Sequence, residues 1–195
     1  MSGWRTSLMS REVIPFYLSL ALLGGAALAL DALLHLSGMV WIGRYLGIPG
    51  VLLILASSGY SLRKHKLINS GKPATLLRWH ERLAWAGSLL ILVHAGIHFN
   101  AILAWLAVWA MLINVASGLT GKFLLGRSRK RLEVTRAGLR AQGLSSEEVD
   151  ERTHWDSLTF DAVKQWRVVH LPITLAFAVL ALAHIIAIFL FWGWK

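Results

Sequence analysis

Residues 78–98 read Arg78-Trp-His80-Glu-Arg82-Leu-Ala-Trp-Ala-Gly87-Ser-Leu-Leu-Ile-Leu-Val-His94-Ala-Gly-Ile-His98. A basic, Trp-flanked mouth opens onto an apolar run, and His80 and His94 stand fourteen residues apart. Near the C-terminus the pattern recurs as Arg167-Val-Val-His170, an apolar run and His184, again with a separation of fourteen. On a helix, fourteen residues bring two side chains to within roughly 40° of one face, about 21 Å apart along the axis. Two apolar helices would each offer two imidazoles at the same two heights.

The surroundings are those of a membrane protein. Of 195 residues, 56% are hydrophobic and only 15% charged, a balance that soluble domains rarely reach. Apolar runs long enough to cross a bilayer recur along the chain. The first is too long for a signal-peptide core and has no clear cleavage site, so it reads as a membrane helix. The formal charge, 20 − 10 = +10, reads as loop charge that sets topology rather than as a nucleic-acid footprint. Cysteine is absent, which removes disulfides, Cys-ligated iron–sulfur clusters and covalently attached c-type haem. Histidine is left as the natural metal ligand.

We expect an all-α integral membrane protein: one domain over 1–195, a bundle of five transmembrane helices at about 13–36, 46–62, 80–99, 102–123 and 166–192. Gly24-Gly25 would permit close helix approach in the first span. Pro49 and Pro172 fall in the first turns of the second and fifth spans, where proline is tolerated. Ser145-Ser-Glu-Glu148 has the pattern of a capping box opening a short surface helix in the cytoplasmic loop before the last span. The basic loops 63–78 and 122–140 fall on one side with the N-terminus. The positive-inside rule makes that side cytoplasmic and leaves the C-terminus outside the inner membrane. The third and fifth spans then run parallel, pairing His80 with His170 near the cytoplasmic face and His94 with His184 toward the outer face.

Such pairs suit haem. A protoporphyrin is a flat apolar disc whose iron accepts one ligand on each face, and bis-histidine ligation favours electron transfer over oxygen chemistry. Two haem b groups held by His80, His94, His170 and His184 would carry electrons across most of the bilayer. Arg78 and Arg82 bracket His80, and Lys164 and Arg167 precede His170, as cations for the inner haem's propionates. The positive-inside rule accounts for the same arginines. Gly87, midway between His80 and His94, would leave room for a porphyrin. His98, one turn beyond His94, is the alternative outer ligand. Asp31 and His35, one turn apart near the outer end of the first span, could join His98 in a protonatable quinone site; an Asp–His pair that only stabilises packing is the plain alternative. A single membrane histidine is as readily a buried hydrogen-bonding group or a relay member, and His65 and His154 sit among loop charges.

The paired histidines of residues 78–99 and 166–192 resemble the di-haem b-type membrane cytochromes. The arrangement is most similar to the ferric-reductase-like transmembrane family, with the wider cytochrome b and cytochrome b561 groups. That resemblance implies His80, His94, His170 and His184 as iron ligands. It departs from the family in span number, since six is usual there, and the sequence has no glycine-rich nucleotide fingerprint. Five spans with two haems is also similar to the anchor subunits of fumarate reductases and succinate dehydrogenases. The expected role is therefore transmembrane electron transfer as the membrane subunit of a quinol-linked oxidoreductase complex. Its partners would be membrane lipid, the quinone pool and redox subunits carrying flavin, iron–sulfur or cytochrome c centres, with no nucleic acid. The basic 122–140 segment and the loop through Trp155 and Trp166 would dock a partner or lipid headgroups. Two other readings stay open: a self-sufficient reductase of metal ions or oxygen species, and a haem-free transporter that uses histidines as relay or ion ligands.

Overall fold

The computed structural model describes residues 14–97 and 102–191. His98 and the expected break near Asn100 lie outside them, as do residues 1–13 and 192–195. In the described residues the chain is helical, and it contains no strand. The helices are α1 (Ile14–Leu36), α2 (Val40–Tyr45), α3 (Gly47–Ser57), α4 (Gly59–Lys64), α5 (Pro73–Ile97), α6 (Ile102–Leu119), a π-helical turn (Thr120–Leu125), α7 (Gly126–Ala141), α8 (Ser146–Arg152) and α9 (His154–Phe191).

Among the described residues, four stretches are long and apolar enough to cross a membrane: Ile14–Leu36, Val40–Lys64, Ile102–Phe123 and Val168–Phe191. Their exposed large apolar residues, Leu28, Leu52, Trp109 and Leu190 among them, are what a hydrocarbon surrounding would cover. The expected third span differs. α5 is 25 residues long, but Arg78, His80, Glu81 and Arg82 lie in its first half and His94 near its end, so it falls short of the apolarity of the others.

Two boundaries move. The second apolar helix begins at Val40 rather than near residue 46, because α2, α3 and α4 follow one another through single helical-φ residues, Leu46 and Ser58. Pro49 stays within the first turn of α3, where its missing N–H breaks no bond. α9 begins at His154, twelve residues before the apolar run expected from 166, so Pro172 lies inside a helix and not in its first turn. The apolar pattern marks the membrane-crossing part only, while Thr153 accepts from the Ser157 N–H at 2.9 Å and starts the helix earlier.

The chain divides into two compact units, one of residues 1–20 and 116–175, the other of 21–115 and 176–195. In the second, α2, α3 and α4 lie along α5. A small core of Ile91, Ala107, Met111 and Phe177 joins α5, α6 and the last part of α9. In the first, α8 packs on α7. The capping box is formed: the Ser145 Oγ accepts from the Glu148 N–H at 3.3 Å, and the Glu148 carboxylate accepts from the Ser145 N–H at 2.9 Å. Those hydrogen bonds hold the exposed Glu148 carboxyl below the usual glutamate value. Arg136 of α7 ties the pair together, donating to Asp150 at 2.9 Å and to Thr153 and Ser157 at 3.3 Å.

Candidate functional site

The face of α5 that carries His80 and His94 is a packing seam. On α5 the residues His80, Gly87 and His94 recur every seven positions. On the antiparallel run α2–α4, the residues Gly43, Gly50 and Ser57 do the same, and all three are buried. A spacing of seven keeps side chains on one helix face, within about 20° per step. The two sets meet in register. Ser57 reaches His80, Gly50 reaches Gly87, and Gly43 reaches His94. Small residues let the backbones approach. A Cβ on Gly87 would lie 2.8 Å from the Gly50 carbonyl oxygen, and one on Gly50 would lie 2.8 Å from Ile91.

Gly87 therefore has a different job from the one its spacing suggested. Its missing side chain makes room for the α3 backbone, not for a flat ligand. The glycine pair in α1 differs again: a Cβ on Gly24 or Gly25 meets nothing within 4 Å.

Both histidines of α5 are anchored through Nδ1. The His80 Nδ1 lies 2.9 Å from the Ser57 carbonyl oxygen, and the His94 Nδ1 lies 3.3 Å from that of Gly43. A carbonyl can only accept, so in both neutral rings Nδ1 holds the proton and Nε2 carries the lone pair. That is the tautomer metal-binding histidines adopt when a second group orients them. The rings differ in their neighbours. Tyr60 packs beside His80, ring centroids 5.9 Å apart. His94 lies flat against Gly47, where an added Cβ would come within 2.9–3.1 Å of Cδ2, Nε2 and Cγ.

His94 and His184 are brought together. Their ring centroids are 6.5 Å apart and their planes cross at 62°. Two imidazoles ligating one ion from opposite sides, with metal–nitrogen bonds of about 2.0–2.1 Å, have centroids roughly 6.3 Å apart. The centroid separation of His94 and His184 is close to that value. His170 belongs to the other unit, where its Nδ1 lies 2.5 Å from the hydroxyl of Ser117, itself 1% exposed. Gly118 lies beside the same ring, with an added Cβ 3.7 Å from Cε1.

The other sequence candidates are placed as follows. Arg78 and Arg82 are each two residues from His80, about 200° round the helix axis, so both leave α5 on the side away from its ring. Arg78 donates to Thr75 Oγ1 at 3.4 Å, and the Arg82 guanidinium lies 6.0 Å from the Trp79 ring centre. The side chain of Arg167 is outside the described residues, as is His98. Asp31 and His35 do meet: the His35 Nδ1 is 2.9 Å from the Asp31 carbonyl oxygen and 3.6 Å from its carboxylate. Asp31 faces the backbone of α5 at Gly96, and its Oδ1 is buried with no hydrogen-bond partner among the described residues. No three His, Asp or Glu side chains gather as a closed metal site among the described residues.

Sequence reasoning missed Gly43, Gly47, Ser57, Tyr60 and Ser117. The small residues at 43, 47, 50 and 57 step by four, three and seven, which is a helix-face signal. Only the antiparallel register shows that this face meets the histidines. Compared with family models, curated proteins and solved structures, the chain matches none, so the reading of the site rests on its own residues.

Proposed function

We propose that the chain is the membrane subunit of an oxidoreductase complex and carries electrons across the inner membrane through two bis-histidine b haems. The observation that carries this reading is the His94–His184 pair, with ring centroids 6.5 Å apart. It is supported by the carbonyl anchors that put the lone pairs of His80 and His94 on Nε2. Bound haem would supply reversible one-electron chemistry at iron with no open coordination position. The protein's part is to hold the imidazoles. Gly43 and Gly47 fix the height and plane of His94, Ser57 and Tyr60 fix His80, and Ser117 holds Nδ1 of His170.

In this reading α5 is the third of five crossings, in the order 14–36, 40–64, 80–99, 102–123 and 168–191. Its polar first half would then lie at the cytoplasmic surface. We take His94 rather than His98 as the outer ligand because its fourteen-residue separation from His80 matches that of His170 and His184. Asp31, with a buried carboxylate oxygen and His35 one turn away, is a group that could accept a proton near the outer pair, as a quinol donor requires. The electron partner on the far side of the membrane would be a separate flavin, iron–sulfur or cytochrome subunit.

The test is the visible spectrum of the purified chain with a pyridine haemochrome assay. A dithionite-reduced α band near ~560 nm and two haems per chain are expected. A colourless protein would end this reading and favour the haem-free transporter. Turnover of ferric iron by the single chain with a soluble donor would favour the self-sufficient reductase.

A further inference from the structure

The first part of α9 extends past the membrane and shows apolar side chains to water. The crossing run of α9 begins at Val168, while the helix itself begins at His154. At 1.5 Å per residue, Trp155 stands about 20 Å beyond that run along the axis. A tilt of about 40° would still leave about 15 Å, whereas the headgroup layer on each side of a bilayer is only about 5–8 Å deep. Trp155, expected from the sequence in a loop, is thus helical and too far out to be an interfacial anchor. It is 79% exposed, and Leu158, one turn on, is 47% exposed. The His154 ring meets the indole edge to face, centroids 5.8 Å apart. The opposite side of the segment is already in use: Ser157 accepts from Arg136 of α7 at 3.3 Å. Trp155 is two residues from Ser157, about 200° round the axis, so it leaves α9 away from α7.

The surroundings are acidic in a basic chain. Of its ten acids, Glu147, Glu148, Asp150, Glu151, Asp156 and Asp161 fall within 147–161, with Arg152 the only Lys or Arg among them. All six acids are exposed. Asp150 is paired with Arg136 and Glu148 with its cap. Glu151, Asp156 and Asp161 flank Trp155 and Leu158 in the sequence.

We propose that Trp155 and Leu158 anchor a partner protein whose docking surface is an apolar pocket rimmed by lysine or arginine. Tryptophan is among the residue types that most often form the energetic centre of a protein interface. Charge complementarity selects the occupant, since the flanking acids repel an anionic leaflet and steer in a cationic surface. Only the membrane crossing of Val168–Phe191 is taken from the functional reading, and haem has no part in the docking.

The experiment places the photocrosslinker p-benzoylphenylalanine at position 155 of the full chain in its own cell membrane, with the crosslinked peptide identified by mass spectrometry. One protein adduct is expected, through a peptide of net positive charge, and the same crosslinker at position 158 should capture the same peptide. Asp156→Lys with Asp161→Lys should lower its yield about tenfold or more, and raised salt should lower it as well. Adducts to lipid alone, to a second copy of this chain, or to a neutral or acidic peptide would overturn the proposal. So would a yield that the charge reversals leave unchanged. Depth is read separately, because the absence of cysteine allows a single spin label. A label at Trp155→Cys should be relaxed by an aqueous nickel complex and one at Leu182→Cys by oxygen in the hydrocarbon. Oxygen preference at 155 would overturn the docking surface alone; nickel preference at 182 would overturn the crossing, and the docking surface with it.

Discussion

The two ends of α5 carry the same residue and treat it differently. His80 and His94 both donate Nδ1–H to a carbonyl of the antiparallel neighbour. At the His94 end a second imidazole lies with its ring centroid 6.5 Å away, and a glycine lies against the ring. At the His80 end the ring beside it is a tyrosine. Equal spacing along one helix therefore ensures equal anchoring, because anchoring depends on one neighbour in register. It does not ensure an equal partner, because the partner comes from a different part of the chain.

The largest expected effect separates the pairs. His94→Ala and His184→Ala should each lower the haem content from two to one per chain, and the double variant should lose no more than either single one. His80→Ala combined with His94→Ala should leave none. These counts come from the pyridine haemochrome assay. A double variant His94→Ala/His184→Ala with no haem would break the assignment of the two histidines to one iron.

Next in size is the glycine under His94. Gly47→Ala places a methyl against the imidazole face at 2.9 Å, so the ring must move. Haem retention at the outer site should weaken by about 10–100-fold, the range seen when groups orienting a metal ligand are lost. Gly50→Ala instead presses on Ile91 and the Gly87 carbonyl. It should lower the thermal stability of the whole chain by about 1–3 kcal/mol through overpacking, with no preference between sites. Gly59→Ala, which meets nothing within 4 Å, should be silent in both assays.

Ser117→Ala tests whether His170 is held as firmly as the histidines of α5. Both haems should remain, and the midpoint potential of one should shift by roughly tens of mV as the hydrogen bond to its ligand is lost. A potentiometric titration in which neither haem moves would remove Ser117 from the site.

The smallest effect lies outside the bundle. Ser145→Ala removes the cap of α8 and should cost about 1 kcal/mol of local stability, read by amide exchange across 146–152, with the haem spectrum unchanged. The Glu148 half of the box is pH-dependent. Its folded value is depressed, so its contribution is full above the ordinary glutamate value and is lost as pH falls through the depressed one. Exchange across α8 should accelerate in that acid range, and Ser145→Ala should abolish the change.

Some of this was legible in residues alone. The apolar runs mark the crossing helices because burial of side chains in hydrocarbon is a property of composition and length. Ser145 and Glu148 mark the start of α8 because a capping box is local, four residues long, and needs no distant partner. The starts of α2 and α9 were not legible, since helix can extend past an apolar pattern wherever hydrogen bonding continues, and Pro172 does not mark an end.

The sequence by itself determined the helical class, the apolar crossings and which histidines share a helix face, because each follows from spacing along one segment. Only the tertiary structure decided what those histidines meet. Gly87 reads as clearance for a ligand until Gly50 is seen against it, and Gly47 carries no signal until His94 is laid on it. The physical reason is that a heptad repeat serves two purposes equally well. It can line up ligands for a cofactor, and it can line up a seam for a neighbouring helix; the structure shows the seam at His94, with one ring nitrogen toward the Gly43 carbonyl and the His184 ring 6.5 Å away.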